Sequence, residues 1–203
     1  MNKPALLLFA VLALALNAVR AQDAAVFEFR VDHQRELQRI VIELDPSAAP
    51  VTVANFEKLL HHKFYDGLKI HRLIPNMLVQ MGDPLSRHGD LARVGTGGPG
   101  YTLPPEIHLR HTVGAVAMAR LGDDINPGLR SSGSQFYICL QAMPDLDGKY
   151  TVFGYVTEGM NVLDNLSTQP ADSNNNPVPP IVIKSAYLAS DPPHGLNLWP
   201  WGR

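Results

Sequence analysis

Past residue 21 the apolar residues of this chain come in short stretches, many of them alternating with polar neighbours. Glycine or proline keeps cutting these stretches off, the full sequence carrying 16 glycines and 17 prolines in 203 residues. Strands form at such lengths, whereas helices need 3.6-residue spacing sustained for roughly ten residues or more, so the pattern selects a mainly β fold. Val26-Phe27-Glu28-Phe29-Arg30-Val31 and residues 37–44 alternate with period two on either side of a polar gap and read as a hairpin. Residues 45–50 break the second strand. Val53, Phe56, Leu59 and Leu60 then recur at helical spacing with Pro50 in the first turn, which predicts a short amphipathic helix ending near His61 or His62. Residues 68–81 return to short β runs, 95–100 and 122–133 read as loops, and 113–119, 134–140 and 150–156 as strands. Met160, Val162, Leu163 and Leu166 mark a second helix over 158–166, and a loop at 167–180 leads to a last strand opening with Ile181-Val182-Ile183. With no repeat and no linker, many strands and two isolated helices predict one domain, a closed or nearly closed β architecture with helices covering its ends.

The first residues stand apart. Lys3 precedes an apolar run at 5–16, and Val19-Arg20-Ala21 ends on a small residue, the layout of a secretory signal peptide cleaved after Ala21. That run falls short of the roughly 20 residues that cross a bilayer as a helix, so stable membrane insertion is not expected. The expected division is a leader at 1–21, a folded domain at 22–190 and a proline-containing tail at 191–203 carrying Trp199 and Trp201. The chain is expected to be exported, to the periplasm of a bacterium or beyond the cell. Its 17 Lys and Arg against 19 Asp and Glu give a net charge of −2, no surplus to attract a phosphate backbone, which argues against nucleic acid. Cys139 is the only cysteine and lies in an apolar run, which excludes an intramolecular disulfide and multi-cysteine metal frameworks and reads as a small core residue.

Common catalytic constellations fail one by one. Gly95-Thr96-Gly97-Gly98-Pro99-Gly100 lacks the Gly-Lys-Ser/Thr ending that cradles phosphates. His61 and His62 are adjacent and cannot share a helical face, and no carboxylate stands at zinc-site spacing from them or from His71, so no metal is expected. Gly133-Ser134-Gln135 runs on into Phe136 and Tyr137 instead of closing a Gly-x-Ser-x-Gly elbow. Asp123-Asp124 with Asn126, and Asp172 with Asn174 and Asn176, lack calcium-loop spacing and read as turn chemistry.

Five fragments remain. They are His71-Arg72-Leu73-Ile74-Pro75 ahead of Val79-Gln80-Met81-Gly82-Asp83; Gly95-Thr96-Gly97-Gly98; Val116-Ala117-Met118-Ala119-Arg120; Gly133-Ser134-Gln135-Phe136-Tyr137-Ile138; and Leu146-Asp147-Gly148-Lys149-Tyr150-Thr151-Val152-Phe153-Gly154. In this order and at these separations the chain resembles the cyclophilin family of peptidyl-prolyl cis/trans isomerases over residues 27–183, and Tyr150 after Lys149 looks closer to bacterial members. The resemblance implies a closed eight-stranded antiparallel barrel capped by two α-helices, no cofactor, and proline-containing polypeptides as substrates, here exported proteins as they fold. A monomer is expected.

The residues themselves can carry that chemistry. An X-Pro bond turns over a barrier of roughly 18–20 kcal/mol because the twisted amide loses its C–N resonance. At the top of the barrier the prolyl nitrogen is pyramidal and offers a lone pair that the planar amide lacks, so a donor aimed there favours the transition state alone. Arginine suits this role, with five N–H groups in a rigid fork and a charge kept at any working pH, so a rate nearly flat from about pH 6 to 9 is expected. Arg72 matches the family's catalytic arginine, and Gln80 is implied to face it, to hold the fork and to touch the substrate backbone. Met77, Leu78, Tyr137 and Leu146 match the lining of an apolar proline pocket, which removes water from the charge-separated planar amide. Ala119, Arg120 and Leu121 match an edge whose backbone pairs with the peptide. Gly95 and Gln135 match further contacts, and Tyr150 matches the pocket rim.

This chain departs from the family pattern at four positions. Met77 and Tyr137 stand where phenylalanine is usual, one bringing flexibility and the other a hydroxyl. Asp145 replaces the tryptophan that animal-type members use to contact cyclosporin, so weak cyclosporin binding is expected. Arg120 replaces an asparagine beside the long loop 122–130, and its charge leads to an expected bias towards acidic residues near the target proline. A proline-binding chaperone module with little turnover is the alternative that Met77 keeps open.

Overall fold

The alternation at the start of the domain becomes β1 (Ala24–Val31) and β2 (Gln38–Leu44), paired antiparallel with Phe27 opposite Ile40 and with Ala25, Phe27, Phe29, Ile40 and Ile42 buried in the core. The computed structural model describes residues 24–31, 35–88 and 93–193; the expected leader at 1–21 and residues 194–203, with Trp199 and Trp201, lie outside them. Next in the chain come β3 (Arg72–Ile74), β4 (Leu78–Met81), β5 (Thr102–Leu103), β6 (Ala115–Met118), β7 (Ser131–Ser132), β8 (Phe136–Cys139), β9 (Val152–Glu158) and β10 (Ile181–Leu188). Eight of them form one antiparallel sheet in the order β10-β1-β2-β9-β6-β8-β4-β3. β5 and β7 pair only with each other, so the stretch read as loop over 122–133 ends in a short strand.

The expected closed barrel does not form; the sheet is an open, curled half-barrel. β3 has three residues and stops before Pro75, and its outer edge is taken by a loop, Leu73 N donating to the carbonyl of Asn175 at 2.8 Å. The segment before β3, rather than β3 itself, reaches β10. Gly67 N donates to Ile183 O at 2.8 Å, Ile70 N to Ile181 O at 3.0 Å, and Lys69 forms an isolated bridge with Val182. A strand too short to span the gap, with its edge already occupied, leaves β3 and β10, the two ends of the sheet, unlaced.

Two helices cover the sheet as predicted, α1 (Pro50–His61) and α2 (Met160–Ser167). α1 drives Phe56 into an aromatic cluster, 4.9 Å from Phe153 and 5.3 Å edge-on to Phe136, with Phe27 and Tyr65 around it. Each such ring pair adds about 0.5–1.5 kcal/mol beyond area burial. α2 is preceded by Gly159 at its N-cap, whose φ of 88° favours glycine and whose closeness to the Arg39 carbonyl leaves no room for a Cβ.

The start of α1 has no cap of its own. Ala49 at the N-cap offers no side-chain acceptor, and Pro50 fills the first turn. Glu106, 55 residues on, supplies the missing acceptors: Oε1 takes Val51 N at 2.9 Å, and Oε2 takes Thr52 N at 2.8 Å and Thr52 Oγ1 at 2.7 Å. Glu106→Ala is therefore expected to lower stability by about 1–2 kcal/mol, the scale of losing an N-cap, read as a shift of the urea midpoint at unchanged slope.

Candidate active site

Strand pairing assembles the site. Ile74, Pro75, Asn76 and Met77 make the turn between β3 and β4, with Asn76 at a φ of 57° and Met77 N donating to Ile74 O at 3.0 Å. Proline followed by an asparagine in the left-handed region is the chemistry this turn needs. The hairpin it closes sets Arg72 opposite Gln80, and the next ladder sets Gln80 opposite Tyr137. Arg72 is exposed on the edge strand, while Gln80 is buried behind it. Arg72 Nη1 donates to Gln80 Oε1 at 3.2 Å, and Gln80 Nε2 donates to Gln135 Oε1 at 3.1 Å. Gln135 Nε2 in turn donates to the carbonyls of Gly97 at 2.8 Å and Gly95 at 3.0 Å.

Beside this polar line lies an apolar floor. Leu78 and Tyr137 are buried in a cluster with Ala117, Cys139 and Val152, and Ala119, Leu146 and Tyr150 pack against it. Tyr150 stands edge-on to Tyr137 at 5.9 Å. Met77, at the end of that turn, is 37% exposed. Asp145 is exposed on the short helical turn 144–146. A cavity of about 570 Å³ adjoins the polar line and is bordered by Gln80, Gly95, Ala119, Arg120, Leu121 and Gln135, with Ile125 and Tyr101 at its outer wall. Apart from Met77, the residues singled out in the sequence are thus gathered around one floor and one cavity.

Two expectations are corrected. Ala119 has no N–H to spare for a peptide, since it goes to Gln135 O at 2.9 Å, and its C=O already takes Ser132 N at 2.8 Å. The main chain of Arg120, next to it, makes no hydrogen bond among the described residues. The Arg120 side chain is not the free positive charge expected. It is 2% exposed, with Nη2 on Asp123 Oδ1 at 2.7 Å, Nε on Lys149 O at 2.8 Å and the guanidinium 4.5 Å over the Tyr150 ring. The charge facing water there is the Asp123 carboxylate, 71% exposed, so the basis for an acidic bias is gone.

Nothing in the residue pattern pointed to what lies behind Tyr137. Its hydroxyl is 3.0 Å from His111 Nε2, and His111 Nδ1 is 2.9 Å from Asp147 Oδ1, which also takes His111 N at 2.8 Å. A carboxylate only accepts, so Nδ1 carries a proton towards Asp147, and Nε2 is left to pair with the Tyr137 hydroxyl. The His111 amide and ring hold the Asp147 carboxyl below its ordinary range. Burial pushes the Tyr137 phenol well up and the Cys139 thiol up to about 12, so neither ionises near neutral pH. Residues 111 and 147 are 36 apart and share no spacing signal; only the fold brings them together. Among the described residues no group of His, Cys, Asp and Glu is arranged to hold a metal.

The family model for cyclophilin type peptidyl-prolyl cis-trans isomerase/CLD matches residues 27–188. Peptidyl-prolyl cis-trans isomerase B of Bacillus subtilis is 47% identical over 132 residues, 64% of this chain and 83% of that protein. A probable peptidyl-prolyl cis-trans isomerase of Brucella suis is 36% identical over 195 residues, 93% of this chain and 97% of that protein. The crystal structure of a cyclophilin type isomerase from Cryptosporidium parvum, in the presence of the dipeptide Ala-Pro, superposes with a TM-score of 0.69 at 26% identity, covering 81% of this chain and 98% of that one.

Two outcomes follow from the buried groups. Tyr137→Phe keeps the ring but leaves His111 Nε2 buried without its partner, an expected loss of about 1–3 kcal/mol in urea unfolding, with kcat/KM on a Xaa-Pro peptide changed less than about threefold. Burial also lowers His71 from the ordinary imidazole value of 6.5. The unfolded chain then takes up this proton at a higher pH than the folded one, so stability falls as pH drops below about 6.5. His71→Gln is expected to flatten that acid-side loss in urea midpoints recorded between about pH 7.5 and 5.

Proposed function

The chain belongs to the cyclophilin-type peptidyl-prolyl cis-trans isomerases, and on that footing we propose that Arg72 is its catalytic donor and the Leu78, Tyr137, Leu146 and Tyr150 floor its proline pocket. The supporting observation is the hydrogen bond from Arg72 Nη1 to Gln80 Oε1 beside an apolar cluster. A planar imide has no use for an N–H at its nitrogen. As the bond twists, the nitrogen turns pyramidal and its lone pair accepts from the guanidinium, so the interaction grows only towards the transition state. Gln80 occupies one N–H and fixes the fork, leaving others for the substrate. The apolar floor withholds water from the charge-separated planar amide, which raises the ground state relative to the twisted one. Together these effects need to supply about 7 kcal/mol for a 10⁵-fold acceleration.

The peptide would run along the main chain of Arg120, with residues flanking the proline reaching the cavity beside Gln80 and Gln135. A proline-containing peptide as substrate accords with the Ala-Pro dipeptide in the Cryptosporidium parvum structure. The leader-like residues 1–21 support exported proteins as clients. N-terminal sequencing of the protein recovered from outside the cytoplasm is expected to begin at Gln22; a start at Met1 overturns this part.

Arg72→Ala is expected to lower kcat/KM by about 10²–10³-fold, the cost of removing one preorganised donor, in an NMR exchange assay on a Xaa-Pro peptide. Arg72→Lys should recover little, because an ammonium lacks the planar fork. The wild-type rate should stay flat from about pH 6 to 9. A proline-binding module without turnover would show no acceleration over buffer and no effect of either change.

A further inference from the structure

We propose that Asp83 is a positioning residue for the isomerase reaction, setting the direction in which the Gln135 and Gln80 amides point so that an oxygen faces Arg72. This rests on Arg72 being the catalytic donor.

A glutamine amide has an accepting end and a donating end of nearly equal size, so Gln80 could present either to the guanidinium. Only the oxygen steadies it; the NH2 group would set donor against donor. The choice is made two residues away. Gln135 Nε2 has three acceptors around it, Gly97 O at 2.8 Å, Gly95 O at 3.0 Å and Asp83 Oδ2 at 3.4 Å. Turning that amide over would bring its oxygen against all three in a buried site. The Gln135 oxygen must therefore face Gln80 Nε2, at 3.1 Å, and the Gln80 oxygen must face Arg72, at 3.2 Å.

Asp83 builds the three-acceptor nest as well as belonging to it. Its carboxylate is fully buried, and every hydrogen bond to it comes from an N–H. Leu85 N reaches Oδ1 at 2.7 Å, while Gly95 N at 2.6 Å and Gly97 N at 3.0 Å converge on Oδ2. Those amides fold the glycine loop over the carboxylate, and the same loop then turns its carbonyls towards Gln135. Gly97 lies so close to Asp83 Oδ1 that a Cβ has no room. An asparagine at 83 would place an NH2 group among these donors and remove the electrostatic reason for the loop's fold and for the amide order.

The test is a double-mutant cycle on kcat/KM for a Xaa-Pro peptide, with Asp83→Asn, Gln80→Ala and the pair. Asp83→Asn is expected to cost about tenfold or more with Gln80 present, as misaimed catalytic groups do, and less than about twofold with Gln80 already removed. Equal losses in both backgrounds, or no loss, overturn the proposal. Gln135→Met, of similar volume and lacking both amide ends, should show the same dependence on Gln80. Should Asp83→Asn fail to fold, the wild-type protein still decides. The side-chain NH2 groups of Gln80 and Gln135 should exchange with solvent at least about a hundredfold more slowly than a free glutamine amide, and exchange at the free rate overturns the relay. If Arg72→Ala leaves the rate untouched, the catalytic reading of Arg72 has failed; if Arg72→Ala is severe while the Asp83 and Gln80 losses multiply, only the role of Asp83 has failed.

Discussion

The antiparallel register across β3, β4, β8 and β6 is the constraint on which the rest of the molecule depends. One cross-strand row runs Arg72, Gln80, Tyr137, Ala117, and the next runs Leu73, Val79, Ile138, Val116. Side chains alternate between sheet faces, so the second row goes into the main core, each member at most 1% exposed, and the first row comes out on the opposite face. A slip of one residue would turn Arg72 and Gln80 towards the main core and Leu73 and Val79 out of it. Core packing and site assembly are thus the same event: burial of Leu73, Val79, Ile138 and Val116 forces the guanidinium, the amide and the phenol onto one surface.

That surface combines two environments with opposite demands. A buried polar line is costly unless every member finds a partner, because an unpaired amide in low dielectric loses its water with nothing in return. From Asp83 through Gln135 and Gln80 to Arg72 each group has one, and only the last reaches solvent. The floor has the reverse problem, since Tyr137 brings a hydroxyl into an apolar cluster. His111 and Asp147 take up that hydroxyl from behind, so the ring can serve as an apolar surface. In the same way Asp123 and Tyr150 absorb the charge of Arg120. Tyr137 and Arg120, two of the departures from the family pattern, thus both have partners in the fold.

The open seam serves the same end. β3 lies at the edge of the sheet, and an edge position is what allows Arg72 to be held by Gln80 on one side while remaining open on the other. An exposed edge invites unwanted strand pairing, and here β3 is kept to three residues, followed by Pro75 and covered by the Asn175 carbonyl.

Local patterning was enough to read the β1–β2 hairpin, both helices, the burial of Cys139 and the mainly β class, because period and turn chemistry act within a few residues. The motifs around Arg72, Gln80, Gln135 and Tyr150 were also legible, as a resemblance. What the sequence could not disclose was every property that depends on distant partners meeting. The sheet stays open because Asn175 reaches the edge of β3. Arg120 has its charge paired by Asp123, Ala119 gives its N–H to Gln135 and accepts from Ser132, and Tyr137 finds His111 and Asp147. A hydrogen bond is satisfied at about 3 Å whatever the number of residues between its ends, so the amino-acid order determined which groups the chain carries and only the tertiary structure decided which of them are still free to act.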